Sequence, residues 1–227
     1  MQVEVLPDDA AVARRAAAFI ADQARAAVRA RGQFTLAVSG GRTPWAMLRA
    51  LATLDLPWPQ LQLFQVDERV APAGDAVRNL TNLQASLLDH APLPAANVHA
   101  MPVEAADLDA AARDYAAALQ RICGAPAVLD LVHLGLGADG HTASLVPGDA
   151  SLQVGDADVA LSGPYQGHRR MTLTYPVLNR ARGVLWLATG ADKRAMVARL
   201  RSGDTGIPAG RVQAGHAWLL GDAAALG

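Results

Sequence analysis

The chain has 227 residues, 52% of them hydrophobic, a formal net charge of −1 and a sequence pI of about 6.6. That balance supplies a full core and excludes a general electrostatic pull toward nucleic acid or an anionic membrane, so an anionic ligand needs a local cluster of cations. A single cysteine, Cys123, excludes an intramolecular disulfide. No run approaches the ~18 apolar residues of a membrane span, and the opening MQVEVLPDD lacks a secretory pattern, so a cytoplasmic protein is expected.

In chain order, residues 3–6 read as an edge strand. Asp8 or Asp9 caps an Ala- and Arg-rich helical pattern that runs to Arg31, with Gly32 as its stop. Residues 34–38 form a short buried strand, followed by Ser39-Gly40-Gly41-Arg42-Thr43-Pro44 and a helix over 45–54. Strand, glycine turn and helix start make an anion-binding layout, because free N–H groups point at the ligand and the Ser39 and Thr43 hydroxyls add donors. A tight turn with a Thr cap explains the same letters, and both readings stay open here. Residues 61–66 are the next strand, with Asp67-Glu68-Arg69 at its carboxyl end. Asn79 is read as the cap of a helix through Leu88, 97–101 as a strand and 104–122 as an amphipathic helix.

The unbroken apolar run 128–134 reads as a strand covered on both faces. It empties into a turn with Gly135, Gly137 and Gly140 that carries Asp139 and His141, and residues 142–145 are read as a short helix. Beyond a loop, 159–162 and 171–174 are strands, 176–182 a short helix and 183–189 an apolar strand. Gly190-Ala191-Asp192-Lys193 opens a helix to Leu200, and 217–220 is the last strand. Strands alternating with helices predict a doubly wound, mostly parallel α/β sheet, in one domain over 1–227. Lys193 is the only lysine among 20 Lys and Arg residues. It stands in a first helical turn, where acids are normally preferred, which marks it as placed for an anion.

Several motifs compete for the glycine turn. Gly135-Leu136-Gly137-Ala138-Asp139-Gly140 matches the dinucleotide fingerprint and follows a strand. It is rejected: Asp139 would set a carboxylate beside a pyrophosphate, the motif comes late, and Asp156 and Asp158 precede a strand where a ribose-binding acid should end one. His133 and His141 lie on different local structures without HExxH or CxxC, so no metal is expected. Ser39 lacks the first glycine of G-x-S-x-G, which disfavours a covalent serine mechanism. What remains is His141 with a carboxylate two residues away. This pair suits a general base for water, and equally a histidine that only ties the loop.

Ser39-Gly40-Gly41-Arg42-Thr43-Pro44, Asp67-Glu68-Arg69, GLGADGHTASL from Gly135 to Leu145, and Arg170-Met171-Thr172-Leu173-Thr174 together resemble the 6-phosphogluconolactonase family. The likeness runs in order from about residue 30 to 200. DGHTASL is its specific part, whereas SGG-x-TP and the Asp-Glu pair are shared with the related glucosamine-6-phosphate deaminases. The resemblance implies a Rossmann-like sheet with helices on both faces, no metal or cofactor, and hydrolysis of 6-phospho-D-glucono-1,5-lactone to 6-phospho-D-gluconate in the oxidative pentose phosphate pathway. It makes His141 the base that activates water and Asp139 its orienting acid. It sets the phosphate on Ser39, Gly40, Gly41, Arg42 and Thr43 with Arg170 and Lys193, counts Asp67 in the substrate-binding set, and faces Arg69 to the lactone end, where a guanidinium can stabilise an oxyanion. The expected partner is a small sugar-phosphate lactone, with no nucleic acid or membrane partner and a monomer favoured.

Two residues depart from the family pattern. Arg42 stands where the loop often has serine, and Arg78 precedes Asn79 where Ser-Asn is common, which leaves the part played by Asn79 open. Two other readings fit the sequence less well. The deaminases continue DGHIAFNEP, but residues 142–147 here contain no acid. A non-catalytic sugar-phosphate-binding module usually carries a DNA-binding unit, for which this chain lacks length and basic charge.

Overall fold

A computed structural model describes residues 1–227. After β1 (Gln2–Leu6), Asp8 accepts from the Ala11 N–H at 2.7 Å and starts α1 (Asp9–Arg31), which Gly32 ends. Val12, Ala16, Ile20, Ala24 and Ala27 recur at three- and four-residue steps and form its buried face. Next come β2 (Phe34–Val38), α2 (Arg42–Ala52), β3 (Leu61–Gln65) and β4 (Asp67–Arg69). They are followed by α3 (Asn79–Leu83), β5 (Val98–His99), α4 (Leu108–Cys123) and β6 (Leu131–Gly135). The remainder is β7 (Val159–Tyr165), β8 (His168–Leu173), α5 (Tyr175–Arg180), β9 (Val184–Ala188), α6 (Arg194–Arg201), β10 (Ala217–Asp222) and α7 (Ala223–Leu226).

Seven strands form one wholly parallel sheet in the order β1-β10-β9-β6-β2-β3-β5. Alternate residues feed two cores. Phe34, Leu36, Val38, Leu61, Leu63 and Leu185 pack with α1 and α2, while Ala37, Phe64, Val132, Leu134 and Trp186 pack with α4 on the other face. Both faces being covered is why the central strands are largely apolar, and it is the expected doubly wound architecture. From β2 the chain builds outward through β3 and β5, then returns to β2's other side for β6. The direction of winding therefore reverses between β2 and β6, and ligands of open α/β sheets bind outside the carboxyl ends at such a reversal. No helix is long and apolar enough to cross a membrane.

The structure differs from the sequence reading in four places. Asp67-Glu68-Arg69, placed at the carboxyl end of the 61–66 strand, forms a strand of its own, β4, which pairs antiparallel with β8 in a second sheet of order β4-β8-β7. β6 begins at Leu131, because the Asp130 carboxylate takes the Thr35 N–H and hydroxyl ahead of the ladder. Asn79 does not cap α3. Arg78 is the flanking residue, and the Glu68 carboxylate accepts the Asn79 and Leu80 N–H groups, each at 2.7 Å. Residues 142–145 form a turn, not a helix. Thr142 donates to the Gly135 carbonyl, Ala143 takes a left-handed φ of 52°, and Ser144 turns to Asp67 and Thr172.

Candidate active site

The reversal point opens into a crevice of about 320 Å³ formed by the loops after β2, β3, β6 and β9 and by β8. Ser39, Gly40, Gly41, Arg42, Thr43, Asp67, Arg69, His141, Arg170 and Lys193 all line it. Asp139 does not. It stands behind His141, with Oδ1 2.6 Å from the ring Nδ1 and 3.1 Å from the His141 backbone N. Partial burial pushes the Asp139 carboxyl up, but hydrogen bonds from the His141 backbone and ring and from Tyr165 outweigh it and hold it below the usual carboxylate range. An ionised Asp139 selects the tautomer with the proton on Nδ1, so Nε2 is the nitrogen free to take a proton.

The glycines that imitate a dinucleotide fingerprint have another use here. A Cβ on Gly137 would lie 2.0 Å from His141 Nδ1 and 2.6 Å from Asp139 Oδ1, so only glycine lets the ring lie on the backbone. Gly40 plays the same part across the crevice, where a Cβ would meet Asn79 Oδ1 at 2.0 Å. Gly41 precedes the first turn of α2, no side chain caps that end, and Gly41, Arg42 and Thr43 line the crevice. Thr43 shares a 2.8 Å hydrogen bond with the Thr189 hydroxyl. Below the loop, fully buried His133 accepts the Ser39 N–H at 3.3 Å, and burial lowers its pKa to about 3, so it is neutral.

On the opposite wall, β4 and β8 set Arg69 directly across from Arg170. Like charges in direct opposition destabilise a strand pair. Burial, then the neighbouring Arg69, pull the Arg170 pKa below its ordinary value. Asp67 lies 3.9 Å from Arg170 Nη1, and its oxygens already accept from the Ser144 hydroxyl at 2.7 Å and Asn79 Nδ2 at 3.3 Å. The nearby Glu68 carboxylate is taken up by Arg78 and by four N–H donors, so the two guanidiniums keep positive charge on this wall. Arg69 Nη1 is fixed by the Val77 carbonyl at 2.6 Å and Asn79 Oδ1 at 3.0 Å, while the Nε atoms of Arg69 and Arg170 have no protein partner. Lys193 pairs with Asp192 at 3.2 Å on the third wall. It precedes α6 proper, because residues 191–193 form a 3₁₀ turn. No group of three His, Cys, Asp or Glu side chains is arranged to hold a metal ion.

Residues 7–220 match the model of the family described as Glucosamine-6-phosphate isomerases/6-phosphogluconolactonase. The chain belongs to this family. Among curated members, a 6-phosphogluconolactonase of Synechocystis sp. is 39% identical over 85% of this chain and 82% of its own. One of Nostoc sp. is 37% identical over 87% and 84%. A crystal structure of 6-phosphogluconolactonase from Thermotoga maritima superposes with a TM-score of 0.86 at 27% identity, over 97% of this chain and 99% of that one.

Within this family member, the sequence reading missed three residues that build the site. Tyr165 donates from its hydroxyl to Asp139 Oδ2 at 3.1 Å. Glu68, fully buried, accepts the N–H groups of Arg69, Asn79 and Leu80 and the Gln65 amide, and lies 3.3 Å from Arg78. Ser144 holds Asp67. Two of them carried a signal, Ser144 by its place within DGHTASL and Glu68 by its place within Asp67-Glu68-Arg69. Arg78, the departure from the family pattern, is 3% exposed and compensates the Glu68 charge instead of entering the crevice.

Proposed function

We propose that this chain hydrolyses 6-phospho-D-glucono-1,5-lactone to 6-phospho-D-gluconate, with His141 as the base that activates water. The observation that carries this reading is the Asp139–His141 pair facing a crevice whose other walls are cationic and rich in N–H donors. The curated relatives bearing the name 6-phosphogluconolactonase support the choice of substrate. Asp139 holds the Nδ1–H tautomer, Nε2 takes a proton from water, and the oxygen attacks the lactone carbonyl. Collapse of the tetrahedral intermediate breaks the ring C–O bond, and the proton returns to the leaving alkoxide.

The loop Ser39–Thr43, Arg170 and Lys193 hold the phosphate, and Arg69, fixed by Asn79 and Val77, meets the oxyanion. Asp67 keeps Arg170 in place from below. A δ-lactone is an activated ester, so a general base contributing ~10²–10⁴-fold, with orientation and an oxyanion donor, suffices without a covalent nucleophile. The phosphate supplies remote binding energy that positions the ring.

The test is acid release from freshly prepared phosphorylated lactone, corrected for its spontaneous hydrolysis, set beside the unphosphorylated lactone. The expected result is a far higher kcat/KM for the phosphorylated compound and loss of ~10²–10⁴-fold in kcat for His141→Ala. Full rate in that variant overturns the base assignment. Equal kcat/KM for the two lactones overturns the phosphate reading.

A further inference from the structure

The proposed hydrolysis leaves one polar residue beside the dyad without a role. Tyr165 ends β7 next to Gln166 and Gly167, whose φ values of 51° and 84° are those of a tight two-residue hairpin turn. Along the β7–β8 ladder Ser162 faces Arg170 and Tyr165 faces His168, so β7 holds one residue more than β8 between these pairs. The Gly163 N–H is held by Asp149 Oδ2 at 2.8 Å, and Pro164 has no N–H to give the ladder. Such a bulge changes which residues point to each face. In unbroken register Pro164 would sit opposite His168 and Tyr165 would point away. With the bulge, Tyr165 shares the face of Arg170.

From there it reaches both functional halves of the crevice. Its hydroxyl donates to Asp139 Oδ2 at 3.1 Å and lies 3.5 Å from His141 Nδ1, and its ring meets the imidazole edge-on at 5.2 Å. The Arg170 guanidinium lies over the same ring at 5.1 Å and donates to the Tyr165 carbonyl at 3.3 Å. We propose that Tyr165 is a positioning residue for both halves of the reaction: its hydroxyl fixes the Asp139–His141 dyad and its ring fixes Arg170. The inference rests on the reading above, in which His141 is the base and Arg170 holds phosphate.

The charged and titratable groups around the dyad are Asp139 and Tyr165 against His141 and Arg170 beyond the Tyr165 ring, with Asp67, Arg69, Arg42, Asp192 and Lys193 around the crevice. Of these, Tyr165 is the one that binds the second oxygen of Asp139. It draws negative charge from the carboxylate. Without it, Asp139 keeps more of its charge for the imidazolium that forms during the reaction.

Tyr165→Phe removes the hydroxyl and keeps the ring, whereas Tyr165→Ala removes both. With phosphorylated lactone, Tyr165→Phe is expected to lower kcat about 10-fold, a size typical of outer-shell partners, with KM within about twofold. The acid limb of its pH–rate profile moves to higher pH. Tyr165→Ala adds a rise in KM of about 10-fold for the phosphorylated lactone alone, as expected for loss of a cation–π contact and its packing. Wild-type kcat and acid limb in Tyr165→Phe, at an unchanged Tm, overturn the dyad role. A KM in Tyr165→Ala equal to that of Tyr165→Phe overturns the Arg170 role. His141→Ala, run alongside, separates these failures from failure of the base assignment, since only the latter leaves that variant at full rate.

Discussion

Replacing Asp139 by Asn keeps the shape of the dyad and removes its charge. The amide oxygen still accepts from the His141 ring and backbone, bonds of 2.6 and 3.1 Å in the native protein, so the tautomer survives. What disappears is attraction between the carboxylate and the imidazolium that forms as water is deprotonated. With charge centres ~4 Å apart this amounts to about 1 kcal/mol in water and ~4 kcal/mol at an effective dielectric constant near 20. Asp139 and His141 side chains are 38% and 23% exposed, so solvent screens the pair and the value lies toward the lower end. A loss of ~1–2 kcal/mol lowers kcat roughly 5–30-fold. The same loss makes His141 a weaker base, so the acid limb of the pH–rate profile moves to lower pH. Stopped-flow acid release with the phosphorylated lactone, repeated across the acid limb, measures both effects. A variant with wild-type kcat and an unmoved limb would refute the electrostatic role of Asp139. A loss as large as that of His141→Ala would show that the acid does more than hold and charge-stabilise the ring.

Further outcomes test the surroundings. Gly137→Ala places a methyl 2.0 Å from His141 Nδ1, so kcat should fall at least tenfold with KM little changed, as steady-state kinetics would reveal. Arg170→Gln should chiefly raise KM for the phosphorylated lactone and Arg69→Gln chiefly lower kcat; the reverse split would exchange their assignments. Glu68→Gln leaves buried Arg78 with only the exposed Glu104 as counter-charge and weakens a four-donor site, so denaturant unfolding should show a loss of ~1–3 kcal/mol. Acid should weaken the Asp139 loop in the native protein. Because the folded-state pKa of Asp139 is depressed, its stabilising contribution is present above the ordinary carboxylate range and fades as pH falls through the depressed value, which NMR titration of the His141 amide would follow.

Local chemistry decided much of this molecule in advance. α1 runs from the Asp8 cap to Gly32 as its letters require, because a capping carboxylate and a terminal glycine act within one turn of the residues they affect. β2 and β9 were legible as buried strands because both faces of a parallel sheet are covered, so both are largely apolar and Thr35 is the single polar residue in them. The Asp139–His141 pair was visible for the same reason, since partners two residues apart meet through the turn that joins them.

Tertiary structure decided which distant groups share the crevice. Ser144 grips Asp67 across 77 residues and Tyr165 reaches Asp139 across 26, through a second sheet whose third member, the three-residue β4, is too short to show a period. Glu68, a charge at a strand end along the chain, is in the fold the buried acceptor that orders α3. The turn over 142–145 lost its helical reading because its side chains and N–H groups find partners on β6, β4 and β8. Sequence spacing records which groups are near along the chain. The packing of β2 against β6, where the winding reverses, determines which are near in space, and it brings the Ser39–Thr43 loop to the same crevice as His141.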